Sequence, residues 1–197
     1  MIEKKSIFAA LKPPYKAEYL TITLNTKKYF FFDLNLAMEK KTIETKITIY
    51  NFDELTEAQQ QLINKAKEQV AKAYAPYSNF HVGAAIELDN GEIFAGSNQE
   101  NSAYPSGLCA ERVAMFYANA QFPEVAVKTI AIVAHTNNRF LEEPITPCGS
   151  CRQVLLETEA RFEKNITVLL YGTKYIYQID NIKQLLPLCF EKGSLNS

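Results

Sequence analysis

The stretch Pro147-Cys148-Gly149-Ser150-Cys151 constrains this chain more than any other. Two cysteines three residues apart can grip one tetrahedral metal ion or form a redox pair. A redox pair normally follows the first strand of a βαβ unit, which is not the setting here. A third cysteine, Cys109, stands two residues before Glu111, and the almost wholly apolar run 113–120, VAMFYANA, follows at once. A carboxylate facing such packing needs a partner or a task. Pro105, Ser106 and Gly107 place a helix start near Cys109, and Pro147 places another near Cys148. On a regular helix surface side chains at i and i+2 point apart, but at the very end of a helix they can converge over the axis. Exposed N–H groups at each helix start also favour thiolate over thiol.

Three cysteines leave one position open on a four-coordinate zinc, the arrangement of a catalytic site. Zn²⁺ with three thiolates sums to −1, which weakens the ion as a Lewis acid unless something offsets it. Arg112 reads equally as a donor to sulfur and as a surface cation. Cys189, as a fourth ligand, would close the site and make the metal structural, but in Leu-Pro-Leu-Cys-Phe it reads as a buried apolar residue. His81 and His135 each stand alone in a strand-like stretch and read as core or strand-end residues.

Composition limits the partners. The chain has 197 residues, 47% hydrophobic and 22% charged, which is the usage of a globular domain with a sizeable core. A formal net charge of −1 offers no basic field for a phosphate backbone, which argues against nucleic acid as a partner. No apolar run reaches the roughly 20 residues of a membrane helix, so no membrane partner is expected. The apolar stretch Ile-Phe-Ala-Ala-Leu near the N-terminus is too short for a signal peptide. A cytoplasmic location follows as the default, and there cysteines are ligands, nucleophiles or core residues rather than disulfides.

Residues 1–41 read as an N-terminal extension of unknown role. They carry two strand-like runs, YLTITL and YFFFDL, suited to a hairpin or a loose leader, and Met38 offers a second translation start. Residues 42–192 read as one domain. Ile43, Ile47 and Ile49 alternate with polar residues as in an edge strand. Thr56 and Gln59 form a capping box before a helix patterned by Leu62, Ile63, Ala66, Val70, Ala73 and Tyr74. HVGAAIEL, the turn Asp89-Asn90-Gly91 and EIFAGSN predict a hairpin. Helices follow over about 109–120 and 148–162, strands at TIAIVAH, ITVLLYG and YIYQI, with NNRFLEEPIT as loop. The order α-β-β-α-β-α-β-β predicts an α/β three-layer sandwich, a mixed five-stranded sheet flanked by helices.

The signature Cys109-Ala110-Glu111 with Pro147-Cys148-Gly149-Ser150-Cys151 resembles the small homotetrameric zinc-dependent cytidine deaminases, in their three-cysteine form. YAPYSNFHVGAA, NQENSAYPSGLCAER and the late LLPLCF add independent matches, and the similarity covers about residues 42–190. The resemblance implies one Zn²⁺ per subunit on Cys109, Cys148 and Cys151, with Glu111 as proton shuttle. It places Asn98 and Glu100 at the ribose hydroxyls and Phe80 against the pyrimidine, where the residues alone read as turn chemistry and core. It also puts Ala110 among the substrate contacts and Tyr104 near a subunit boundary. Phe190 and the tail around it resemble a segment that reaches towards a neighbouring subunit.

Three functions are open at this point. The first is hydrolytic deamination of cytidine and 2′-deoxycytidine, with a nucleoside as the small-molecule partner in a homotetramer. The second is a related deaminase acting on another aminopyrimidine or on a base in RNA or DNA. The third is a zinc-stabilised binding module without catalysis, which leaves Glu111 without a purpose.

Overall fold

The computed structural model describes residues 39–195, and the unit Lys41–Ser197 carries everything that follows. The two strand-like runs expected within residues 1–41, and Met38, lie outside the described residues.

The first helix, α1 (Glu57–Val70), starts as the capping box predicts. The Gln59 N–H donates to Thr56 Oγ1 at 3.3 Å and the Thr56 N–H donates back to Gln59 Oε1 at 3.0 Å. It stops at Val70, before Ala73 and Tyr74. The Tyr74 N–H donates to Asn98 O and the Glu100 N–H donates to Tyr74 O, so the chain leaves the helix to bridge the segment 98–100. Pro76 then keeps the preceding backbone extended.

Among the described residues the sheet has seven strands rather than five. They are β1 (Thr48–Tyr50), β2 (His81–Leu88), β3 (Ile93–Ser97), β4 (Val127–Thr136), β5 (Arg139–Phe140), β6 (Thr167–Tyr171) and β7 (Ile176–Ile179). Their order is β1-β7-β6-β4-β2-β3, with β5 beside the end of β4. Only β4 and β6 run parallel, and the crossover between them carries α3 (Gly149–Phe162). The additional β5 replaces the expected loop because Asn137 and Asn138 both adopt positive φ, 49° and 59°, the backbone of a tight hairpin turn. The predicted edge strand forms as β1 but is only three residues long. Of Ile43, Ile47 and Ile49 only the last lies in it, and all three are exposed, so their alternation does not mark burial.

Side chains alternate across the sheet and divide the core in two. Ala85, Ala131, Val133, Leu169 and Ile176 face α1, meeting Leu62, Ile63, Ala66 and Val70. Ile86, Ile130, Ile132, Val168, Leu170 and Ile179 face the other way, onto α2 (Ala110–Gln121) and α3 through Ala114, Met115, Ala118, Leu155 and Leu156. This is the expected three-layer arrangement. Two glycines set the layer spacing. A Cβ on Gly83 would lie 2.0 Å from the Ala66 carbonyl oxygen of α1, and one on Gly96 would lie 2.9 Å from the Ala114 nitrogen of α2.

Among the described residues no helix is long and apolar enough to cross a membrane. Because the obstacle at Gly83 is backbone, Gly83→Ala is expected to lower the unfolding free energy by roughly 1–3 kcal/mol, read as an earlier urea midpoint.

Candidate metal centre and cavity

The helices α2 and α3 begin with cysteines as their capping residues, Cys109 and Cys148, both in extended backbone conformation. Neither side chain caps its helix, so both sulfurs remain available. Cys151 lies one turn inside α3 and is fully buried. The three sulfurs fall within 4.8 Å of one another, and Cys109 and Cys148 are 3.7 Å apart. Zinc–sulfur bonds of about 2.3 Å in a tetrahedron require a sulfur–sulfur separation of roughly 3.8 Å. The donor set and its spacing therefore fit a zinc ion. Among the described residues this is the one group of three or more His, Cys, Asp or Glu side chains so arranged. Cys189 does not join it; its thiol donates to Glu191 at 2.9 Å.

The sulfurs share protons unequally. A hydrogen bond from the Cys151 thiol, helped by Cys148 and Arg112, holds Cys109 well below the usual thiol range. The same contact with Cys109 pushes Cys151 up. Arg112 directs Nη2 at Gly107 O, 3.4 Å away, and at Cys109 Sγ, 4.0 Å away. Burial works to lower its pKa, but the hydrogen bond and charge of Cys109 raise it overall. Its Nε is buried without a hydrogen-bond partner. Of the two sequence readings, the donor to sulfur is the one with geometry behind it.

Glu111, the second residue of α2, is 5% exposed and lines the same cavity as Cys109 and Cys148. Burial pushes its carboxyl above the usual range, and the charge of Cys109 adds to the rise. Such a carboxyl is prepared to carry a proton rather than to sit as a solvated anion.

The cavity has a volume of about 750 Å³, and Phe80, Asn98, Glu100 and Tyr104 also line it. Asn98 and Glu100 are engaged in turn chemistry, as the residues alone suggest, but with the distant turn before β2. Asn98 Oδ1 accepts the Val82 N–H at 2.8 Å, and its Nδ2 donates to Phe80 O at 2.9 Å. Glu100 accepts the Tyr77 and Ser78 N–H groups at 2.9 and 3.3 Å, and the Ser78 hydroxyl as well. That hydroxyl contact, then the Tyr77 N–H, lowers the Glu100 pKa. Together they pin both sides of Phe80. Tyr104 is 80% exposed, on a short 3-10 helix. Ala110, expected among the substrate contacts, is fully buried in the core and does not line the cavity. His81 and His135 lie at a different cavity.

The Arg-Gln pair after Cys151 braces the cluster. Arg152 donates to Pro147 O at 2.9 Å, Thr146 Oγ1 at 2.9 Å and Leu185 O at 2.7 Å, and Gln153 donates to Phe190 O at 2.9 Å. They tie the cysteine turn to the C-terminal segment. Buried Glu159 adds to this from the same helix, accepting the Ile166 and Ile182 N–H groups at 3.1 and 2.8 Å.

Comparison with known proteins gives a consistent answer. Residues 56–167 match the family described as the cytidine and deoxycytidylate deaminase zinc-binding region. The cytidine deaminase of Sporosarcina psychrophila is 39% identical over 137 residues, covering 70% of this chain and 94% of the relative. That of Halalkalibacterium halodurans is 37% identical over 137 residues, 70% of this chain and 97% of the relative. The crystal structure of cytidine deaminase from Burkholderia pseudomallei superposes with a TM-score of 0.57 at 40% identity, covering 69% of this chain and all of that one. With its three sulfurs, buried glutamate and shared fold, the chain belongs to the cytidine and deoxycytidylate deaminase zinc-binding family.

Proposed function

We propose that this chain is a zinc-dependent enzyme that hydrolyses cytidine and 2′-deoxycytidine to uridine and 2′-deoxyuridine, releasing ammonia. The observation that carries the reading is Glu111, a buried carboxyl with raised pKa, facing the same cavity as the cysteine cluster. Residues 42–192 form the catalytic domain in this reading, and Cys109, Cys148 and Cys151 hold one zinc per subunit. When bound there, zinc supplies a water whose pKa falls from about 15.7 towards 7.

The protein's side chains do the rest. Glu111 accepts the proton of the attacking water and delivers it to the pyrimidine N3. It then helps protonate the amine that leaves C4 as ammonia, since an amide ion is a poor leaving group. Arg112, through its contact with Cys109, offsets the net −1 of three thiolates on a dication. Phe80 packs on the pyrimidine ring, and Asn98 and Glu100 face the sugar hydroxyls. A free nucleoside is favoured over a nucleotide because, among the described residues, Arg112 is the one Lys or Arg that lines the cavity, and it is turned to sulfur.

A homotetramer with sites near subunit boundaries is part of the same reading. Phe116 and Tyr117 on α2 are 47% and 54% exposed, and Tyr104 at the cavity is more exposed still. Apolar surface of that kind on a helix beside the site suits a subunit contact. A cytoplasmic location agrees with four cysteines free of disulfides.

Glu111→Gln is expected to keep zinc and lose about 10²-fold or more in turnover, measured as ammonia release alongside metal content. Near-normal activity in the zinc-loaded variant would sink the assignment of Glu111. Glu100→Gln removes an anion that three donors share and that faces the sugar. Its kcat/KM for cytidine is expected to fall at least tenfold, mostly through KM, with a smaller change in kcat. A pure kcat loss would place Glu100 elsewhere in the mechanism.

A further inference from the structure

The chain has two histidines, 54 positions apart in sequence, and the fold makes them direct partners across the antiparallel strands β2 and β4. The imidazole rings of His81 and His135 have centroids 6.4 Å apart and planes at 90°. Both are half-buried and line a second cavity, about 350 Å³, together with Asn79, Thr136 and Lys67. Among the described residues no carboxylate lines it. Neither histidine has a part in the deaminase reading, and the inference below does not depend on that reading.

We infer that this cavity is a second metal site, chelating a borderline transition-metal dication such as Ni²⁺, Cu²⁺ or Zn²⁺ through His81 and His135, with Asn79 as an oxygen ligand. Two imidazoles on one such ion, with metal–nitrogen bonds of about 2.0–2.1 Å, have centroids roughly 5 to 6.5 Å apart. The observed separation is at the wide end of that range, and the edge-to-face pair converges on one ion only when χ1 and χ2 of one ring change so that its nitrogen turns towards the other across the adjoining cavity. Asn79 Oδ1 makes a long hydrogen-bond contact with His81 Nε2, 3.4 Å, so the two atoms are already neighbours. That distance matches the ligand–ligand edge of a tetrahedron with bonds of about 2.1 Å, roughly 3.4 Å.

Asn79 is held in place for this. Its φ is +53°, and Thr136 of β4 donates to its carbonyl at 3.0 Å, fastening the turn to the strand that carries His135. The end of α1 contributes Val70 and Ala71 to the cavity wall, and the C-terminal end of a helix favours positive charge. Lys67, the one fixed cation in the lining, rests its ammonium over the Tyr171 and Phe52 rings, 3.9 and 4.6 Å from their centroids. Imidazole nitrogen with amide oxygen, and neither thiolate nor carboxylate, selects borderline metals and rejects calcium and magnesium.

The test uses protein already loaded with zinc at the cysteines. Because the chain has two histidines, its imidazole NMR signals belong to this pair alone. On titration with Ni²⁺ both rings are expected to broaden in parallel. His81→Gln and His135→Gln are each expected to weaken Ni²⁺ uptake by about tenfold or more, with zinc content and circular dichroism unchanged. If one variant fails to fold, the other carries the test. A response from one ring only, no response from either, or uptake indifferent to both substitutions would overturn the site and leave an aromatic contact.

Discussion

Two helix starts that must meet govern this molecule. Cys109 and Cys148 occupy the capping positions of α2 and α3, and Cys151 reaches the same point from one turn inside α3. The sulfurs converge only if both helices lie on one face of the sheet with their N-terminal ends together. The parallel pairing of β4 with β6 supplies this, since the crossover between them carries α3 back over the face that already holds α2. The glycine at 96 then lets α2 settle against β3. Sheet order, crossover and close approach all serve one small cluster of atoms.

Electrostatics at that cluster follow from the same placement. The Cys151 thiol, with Cys148 and Arg112, favours a negative Cys109 sulfur, while burial acts on Glu111 in the opposite sense and favours its protonated form. Neighbouring groups are thus driven to different protonation states by their surroundings, the condition under which one site can hold a cation and pass protons.

Much of this was legible in the sequence, for identifiable reasons. Short apolar runs and the Asp89-Asn90-Gly91 turn located β2, β4, β6 and β7, and breakers before Cys109 and Cys148 located the helix starts. What escaped were features set by tertiary partners. Tyr74 has helical spacing but is drawn away by hydrogen bonds to Asn98 and Glu100. β5 depends on a turn of two asparagines at positive φ inside a stretch that reads as loop. The bonds from Asn98 to Phe80 and Val82, the braces made by Arg152 and Gln153, and the pairing of His81 with His135 all join residues far apart in the chain. No local pattern announces them.

The pins around Phe80 have an evolutionary consequence. Asn98 and Glu100 face the cavity while their hydrogen bonds shape the turn that presents the aromatic ring. Under the proposed reading, a mutation that sought a different sugar would therefore unsettle the platform for the base at the same stroke. Drift in ligand preference along this lineage should then proceed through the remaining cavity wall, around Leu108, Ile145 and Thr146, where a change in shape leaves the scaffold of that turn alone.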